Sequence, residues 1–245
     1  MPTKPSPTHF LCLQLSSAQL SRSLAAFRAD ATSLDSFAIP GDAVRPPGTL
    51  HLTLGVMSLK QDDGLSQAVD VLKSLKPRDI LGELRCPYSS STAISSSTST
   101  STSTTASQAI ATNNDGLLIS FRGLHAMTHP SRTSVLYAPP TDAEGILYRF
   151  CERLRKPFRE SGFIEEERPL LLHATIINTI YVKSMGGGRR RERLMLDAED
   201  LLRKYDDYEW VEGMPVTKVA LCKMGAKKVE GSDDEVYEVV EEIEI

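Results

Sequence analysis

Two short segments of the chain carry the same pattern, His-x-Thr: Leu50-His51-Leu52-Thr53-Leu54 and Leu172-His173-Ala174-Thr175-Ile176. Both sit in apolar, strand-favouring surroundings. A strand sends alternate side chains to one face. Each His therefore projects with its Thr, while the intervening apolar residues turn the other way. Two such strands side by side would gather two imidazoles and two hydroxyls around one cleft. That set of groups suits acid–base chemistry on a phosphate ester without a metal, provided the two strands meet.

The rest of the composition bounds the setting. At 245 residues the chain is long enough to bury a substantial core, and we expect one domain over 1–245. Its net charge of -4 argues against a general polyanion binder, so any nucleic-acid contact must come from a local patch. Cys12, Cys86, Cys151 and Cys222 are scattered and form no CxxC pair, which argues against a zinc ribbon. Cys12 and Cys222 sit in strand-like runs and read as small buried hydrophobes. Met1 to Pro7 lacks the apolar stretch of a signal peptide, and no run approaches the roughly 18–20 apolar residues of a membrane span. These features predict a soluble intracellular protein, nuclear and/or cytoplasmic, in a reducing compartment.

Periodicity predicts the elements. Phe10 to Leu15 reads as a strand, and Ser16 or Ser17 then caps a helix to about Asp30. The first motif strand runs Leu50–Leu59. A helix over about Leu65–Leu75 ends at Lys76-Pro77. The Ser/Thr-rich stretch over 89–114 cannot bury enough apolar area to order itself and reads as a disordered insertion. Leu117–Phe121 and Val135–Ala138 read as strands joined by a loop over Gly123–Ser131. Thr141 or Asp142 caps a long helix to about Ser161. The second motif strand runs Leu170–Tyr181, followed by a basic loop with Arg189, Arg190 and Arg191. A helix over about Asp197–Tyr205 and strands at about Val216–Lys223 and Val236–Ile243 complete the chain. In each half a strand leads through an amphipathic helix to a His-x-Thr strand. The predicted fold is α+β, with two pseudo-repeated lobes carrying concave antiparallel sheets on either side of a central cleft.

Imidazole is suited to both halves of phosphodiester cleavage, because its reference pKa is about 6.5. One of His51 and His173 would accept a proton from the attacking group and the other would protonate the leaving oxygen. The pattern leaves open which does which. Thr53 and Thr175 would donate hydrogen bonds to the non-bridging oxygens as charge builds there. No step needs a metal or cofactor. His125 and His129 lie in the predicted loop and lack a strand-spaced Thr.

The string Leu172-His173-Ala174-Thr175-Ile176-Ile177-Asn178-Thr179 is far more specific than His-x-Thr alone. With Phe37-Ala38-Ile39-Pro40 before the first motif, Phe121-Arg122-Gly123-Leu124, and Leu221-Cys222-Lys223-Met224-Gly225-Ala226, the chain resembles the two-histidine (2H) phosphoesterase superfamily. Within it the chain is most similar to the A-kinase anchoring protein 7 domain, which is also found in activating signal cointegrator 1 complex subunit 1. The resemblance implies a bilobal fold and the roles given above for His51, Thr53, His173 and Thr175. It also implies a substrate among RNA ends or oligonucleotides with a 2',3'-cyclic phosphate or a 2'-5' linkage. The cointegrator resemblance adds an alternative, a non-catalytic RNA-end-binding scaffold in a nuclear coactivator or alkylation-repair complex with a protein partner. No Gly-x-x-Gly module precedes Phe10, and no kinase-docking helix is evident.

Further candidate substrate contacts are basic and aromatic residues near the motifs in sequence. Arg189 and Arg190, with Arg191 and Arg193, are candidates for RNA phosphates or a nuclear import signal, or form a solvated loop. Arg45 and Lys60 flank the first motif as phosphate candidates. Arg122 at a strand end is equally suited to a carboxylate partner. Tyr181 shares the face of His173 and Thr175 if the strand runs unbroken, where it stacks on a base or packs in the core. Trp210 reads as packing.

Overall fold

The computed structural model describes residues 6–59, 63–86, 116–182 and 193–245. The Ser/Thr insertion, Lys60 and Arg189–Arg191 lie outside the described residues. In chain order the elements are β1 (His9–Gln14), α1 (Ala18–Thr32), β2 (His51–Met57), α2 (Asp63–Ser74), α3 (Pro77–Arg85), β3 (Leu117–Arg122), β4 (His125–Ala126), β5 (Val135–Ala138), β6 (Pro140–Thr141), α4 (Leu147–Glu160), β7 (Ala174–Asn178), α5 (Glu199–Lys204), β8 (Glu209–Val216), β9 (Lys218–Lys223), β10 (Lys227–Lys228), β11 (Glu235–Val236) and β12 (Val239–Glu244).

The architecture is α+β with antiparallel sheets. The main sheet runs β12-β9-β1-β2-β7-β5-β4, and β6-β3-β8 form a smaller sheet. The two motif strands are neighbours in the middle of the main sheet, so the two lobes share one continuous sheet joined at the β2–β7 pair. β1 is buried along nearly its whole length, as expected for a strand hydrogen-bonded on both edges with both faces covered. α1 begins at Ser17, whose hydroxyl accepts from the Leu20 amide at 3.1 Å. It buries Leu20, Leu24, Phe27 and Ala31, spaced for one helical face. Phe27 meets the fully buried Trp210 edge-on at 5.1 Å, and the Trp210 indole donates to the Gly123 carbonyl at 2.8 Å. This joins α1 to the smaller sheet and confirms the packing role of Trp210.

Several expectations are corrected. The helix expected over Leu65–Leu75 does end before Lys76-Pro77, as α2, but Pro77 also opens a further helix that was not foreseen. Pro77 occupies the first turn of α3, where its missing N–H costs nothing. The helix expected from Thr141 or Asp142 begins at Leu147. Thr141 belongs to β6, and the Asp142 carboxylate caps a preceding turn by accepting from the Ile146 amide at 2.7 Å. The loop over Gly123–Ser131 contains a short strand, β4, paired with β5. β8 was not foreseen. The second motif strand ends at Asn178, because the Asn178 side chain accepts from the Ile180 amide at 3.1 Å and turns 179–181 into a 3-10 helix. Tyr181 therefore does not continue the face of His173 and Thr175.

Gly55 in β2 lies against the chain that leads to His173. A Cβ placed there would fall 2.3 Å from the Ile164 side chain, so the bare glycine lets the segment after α4 cross close to the first motif.

Candidate active site

The two motifs converge. Leu52 and Leu54 on β2, and Ala174 and Ile176 on β7, are buried, whereas His51, Thr53, His173 and Thr175 keep part of their surface in the cleft. Leu52 pairs with Ala174 in antiparallel register. One step either side of that pair sets His51 beside Thr175 and Thr53 beside His173. The histidines thus lie on a diagonal about the Leu52–Ala174 point. Diagonal neighbours in such a pair lie roughly 7–8 Å apart, somewhat less at Cβ, a separation that one tetrahedral phosphate can bridge.

Both imidazoles are fixed the same way. His51 Nδ1 lies 2.8 Å from the Thr49 carbonyl oxygen, and His173 Nδ1 lies 2.8 Å from the Leu171 carbonyl oxygen. A carbonyl can only accept, so Nδ1 carries the hydrogen in each ring. Nε2 is left to accept a proton when the ring is neutral and to donate one when it is charged. The backbone two residues before each histidine therefore sets its tautomer, a detail that His-x-Thr alone does not reveal.

The surroundings differ. His51 sits among rings, with Phe10 at 4.8 Å and Tyr237 edge-on at 5.3 Å. Burial pushes its pKa down to about 4, and the nearby His173 and Arg45 charges add to this, against the Thr49 hydrogen bond, which favours the charged ring. At neutral pH this imidazole is uncharged. His173 faces Tyr137 of β5 edge-on at 5.5 Å. A cavity of about 450 Å³ is lined by Thr53, His173, Met127 and Arg168. A second, of about 400 Å³, adjoins His51, with Gln14, Ser21 and Tyr237 in its wall.

Arg45 and Tyr181 reach this region by another route. Arg45 is 4% exposed, and its amide donates to the Ile176 carbonyl of β7 at 2.8 Å. Its guanidinium lies 3.7 Å from the Tyr181 ring centroid and 4.0 Å from a Glu235 carboxylate oxygen, and its Nη2 is buried without a hydrogen-bond partner among the described residues. Tyr181, expected on the strand face or in the core, is exposed and stacked on this cation. The Tyr237 hydroxyl interacts with both Tyr181 and Arg45. Tyr237 was missed in the sequence, as nothing local links it to His51. Arg122 pairs with Asp207 and Glu209, the carboxylate alternative foreseen for it.

A model of the AKAP7 2'5' RNA ligase-like domain matches residues 7–245. The chain belongs to that family. Membership agrees with the two-histidine phosphoesterase resemblance carried by the motifs, and supports phosphoesterase or RNA ligase-like chemistry as the family's class. The uncharacterized protein C15D4.13c of Schizosaccharomyces pombe is 28% identical over 218 residues, spanning 89% of this chain and 86% of that protein. Among solved structures, Escherichia coli LigT complexed with 3'-AMP is similar with a TM-score of 0.48 at 14% identity over 98% of each chain. TT0787 of Thermus thermophilus is similar with a TM-score of 0.49 at 15% identity over 97% of each chain. Among the described residues, no helix is long and apolar enough to cross a membrane.

Proposed function

We propose that the protein is a metal-independent phosphodiesterase of the two-histidine type, acting on RNA ends or oligonucleotides that carry a 2',3'-cyclic phosphate or a 2'-5' linkage. The observation that carries this reading is the Leu52–Ala174 pairing, which draws together two histidines with identical Nδ1 anchoring. His51, held neutral, accepts the proton of the attacking water at Nε2 as the new P–O bond forms. His173 Nε2 delivers a proton to the departing oxygen as the old P–O bond breaks. Thr53 and Thr175 hydrogen-bond the non-bridging oxygens. The buried Arg45 guanidinium adds positive potential beside them, and the exposed Tyr181 is a contact for the substrate's nucleoside. Arg189 and Arg190 are retained as candidate substrate contacts on sequence grounds alone.

The test is incubation with matched 2',3'-cyclic, 2'-5'-linked and 3'-5'-linked oligonucleotides, with products resolved by chromatography. Cleavage of the first two classes is expected. Because two imidazoles supply both proton transfers, turnover should survive EDTA, and strict dependence on an added divalent ion would overturn the metal-free scheme. Thr53→Val and Thr175→Val should each slow turnover by about 10- to 100-fold, the worth of one hydrogen bond to a charged oxygen. Saturable binding of a phosphate end with no turnover would instead mark a non-catalytic RNA-end binder.

A further inference from the structure

We infer that the cleft holds a second phosphate subsite, built from Tyr137 on β5 and His125 on β4, that takes the phosphate next to the scissile one. This rests on the function proposed above and narrows its substrate to chains with more than one phosphate.

The placement follows from register. Thr175 pairs with Tyr137, and Tyr137 pairs with His125. Directly paired residues share a face, so the row that begins with His51 and Thr175 continues through Tyr137 to His125 across four adjacent strands. The rings bear this out: His173 to Tyr137 is 5.5 Å and Tyr137 to His125 is 5.8 Å between centroids. His125 is exposed and Tyr137 half-buried. Among the described residues neither the Tyr137 hydroxyl nor the His125 imidazole has a hydrogen-bond partner. Among the described residues these two polar side chains stand unpaired on the cleft face.

Space and spacing fit the same ligand. Met127 lies two residues past His125, and it lines the same cavity as Thr53 and His173. Open space therefore reaches from the motifs to Met127, just beyond β4. Neighbouring strands are about 4.8 Å apart, so β5 and β4 lie one and two strand steps beyond β7. That is the order of one phosphate-to-phosphate step along an extended nucleotide chain. A phenol and an imidazole at that distance suit a phosphate oxygen. They have nothing to hold in a mononucleotide whose only phosphate lies between His51 and His173.

The experiment compares kcat/KM for three substrates with the same scissile linkage: a dinucleotide with one phosphate, that dinucleotide with a terminal phosphomonoester, and a trinucleotide. One charge-assisted hydrogen bond corresponds to about a tenfold gain. The two-phosphate substrates should be better by about that factor or more, chiefly through KM. The Tyr137→Phe/His125→Gln double variant should bring the ratio close to one. A gain with the phosphomonoester alone identifies a terminal phosphate as the ligand, and a gain with the trinucleotide identifies an internal diester. Equal kcat/KM for all three in the unaltered protein, or a gain that survives in the double variant, overturns the subsite. If the unaltered protein cleaves none of them, the proposed function fails. The subsite is then read from calorimetric affinities of the same three compounds, where a missing difference overturns it.

Discussion

His51→Ala and His173→Ala each lower kcat by about 10²–10⁴-fold, the range a positioned acid or base contributes. The double variant falls little below the worse single variant, because the two groups act in one proton relay and their losses do not add. The two defects are separable by the leaving group. A p-nitrophenyl phosphodiester departs without needing a proton, so it restores much of the rate to His173→Ala and little to His51→Ala. The reverse pattern would exchange the two roles, and near-normal turnover in both variants would remove the histidines from the mechanism. Matching thermal unfolding curves guard against misfolding. His173 lies at the cleft surface, while His51 packs against Phe10 and Tyr237, so the His51 variant is the one to check first.

The part of this site that was legible in the sequence is the part set by local periodicity. Alternation of Leu52 and Leu54 against His51 and Thr53 fixes which side chains share a face, whatever the strand's neighbours. The α1 cap and its buried stripe are likewise written within one helix. Adjacency is different. The Leu52–Ala174 pair is long-range, and no local signal states which strand β2 will choose. Tyr237 reaches His51 through the docking of the C-terminal segment, in which the Asp234 carboxylate accepts from the Gly48 amide at 2.9 Å. That contact joins the chain end to the turn before the first motif and leaves no pattern in either segment. Tyr181 and His125 fail for a third reason. One hydrogen bond accepted by the Asn178 side chain ends a strand that hydrophobicity alone would extend, and a two-residue strand is too short to show a period.

The neutral state of His51 has a cost that can be measured. Its pKa is about 4 in the folded chain, and an exposed imidazole in the unfolded chain titrates near 6.5. Between those values the unfolded state binds a proton that the native state does not, so stability rises with pH. The contribution is fully present above pH 6.5 and is lost as the pH falls toward 4. Between pH 7.5 and 4.5 this one group accounts for a loss of about 2–3 kcal/mol. Burial and Lys223 also lower the pKa of His9, and partnered carboxylates such as Asp30 and Glu144 lose stability in acid in the same direction. Urea unfolding of the unaltered protein and of His51→Gln at both pH values isolates His51, because the other groups cancel in the double difference. The unaltered protein should lose about 2–3 kcal/mol more than the variant on acidification. Equal losses would show that the His51 imidazole titrates normally in the fold. Burial would then no longer single out His51 as the proton acceptor.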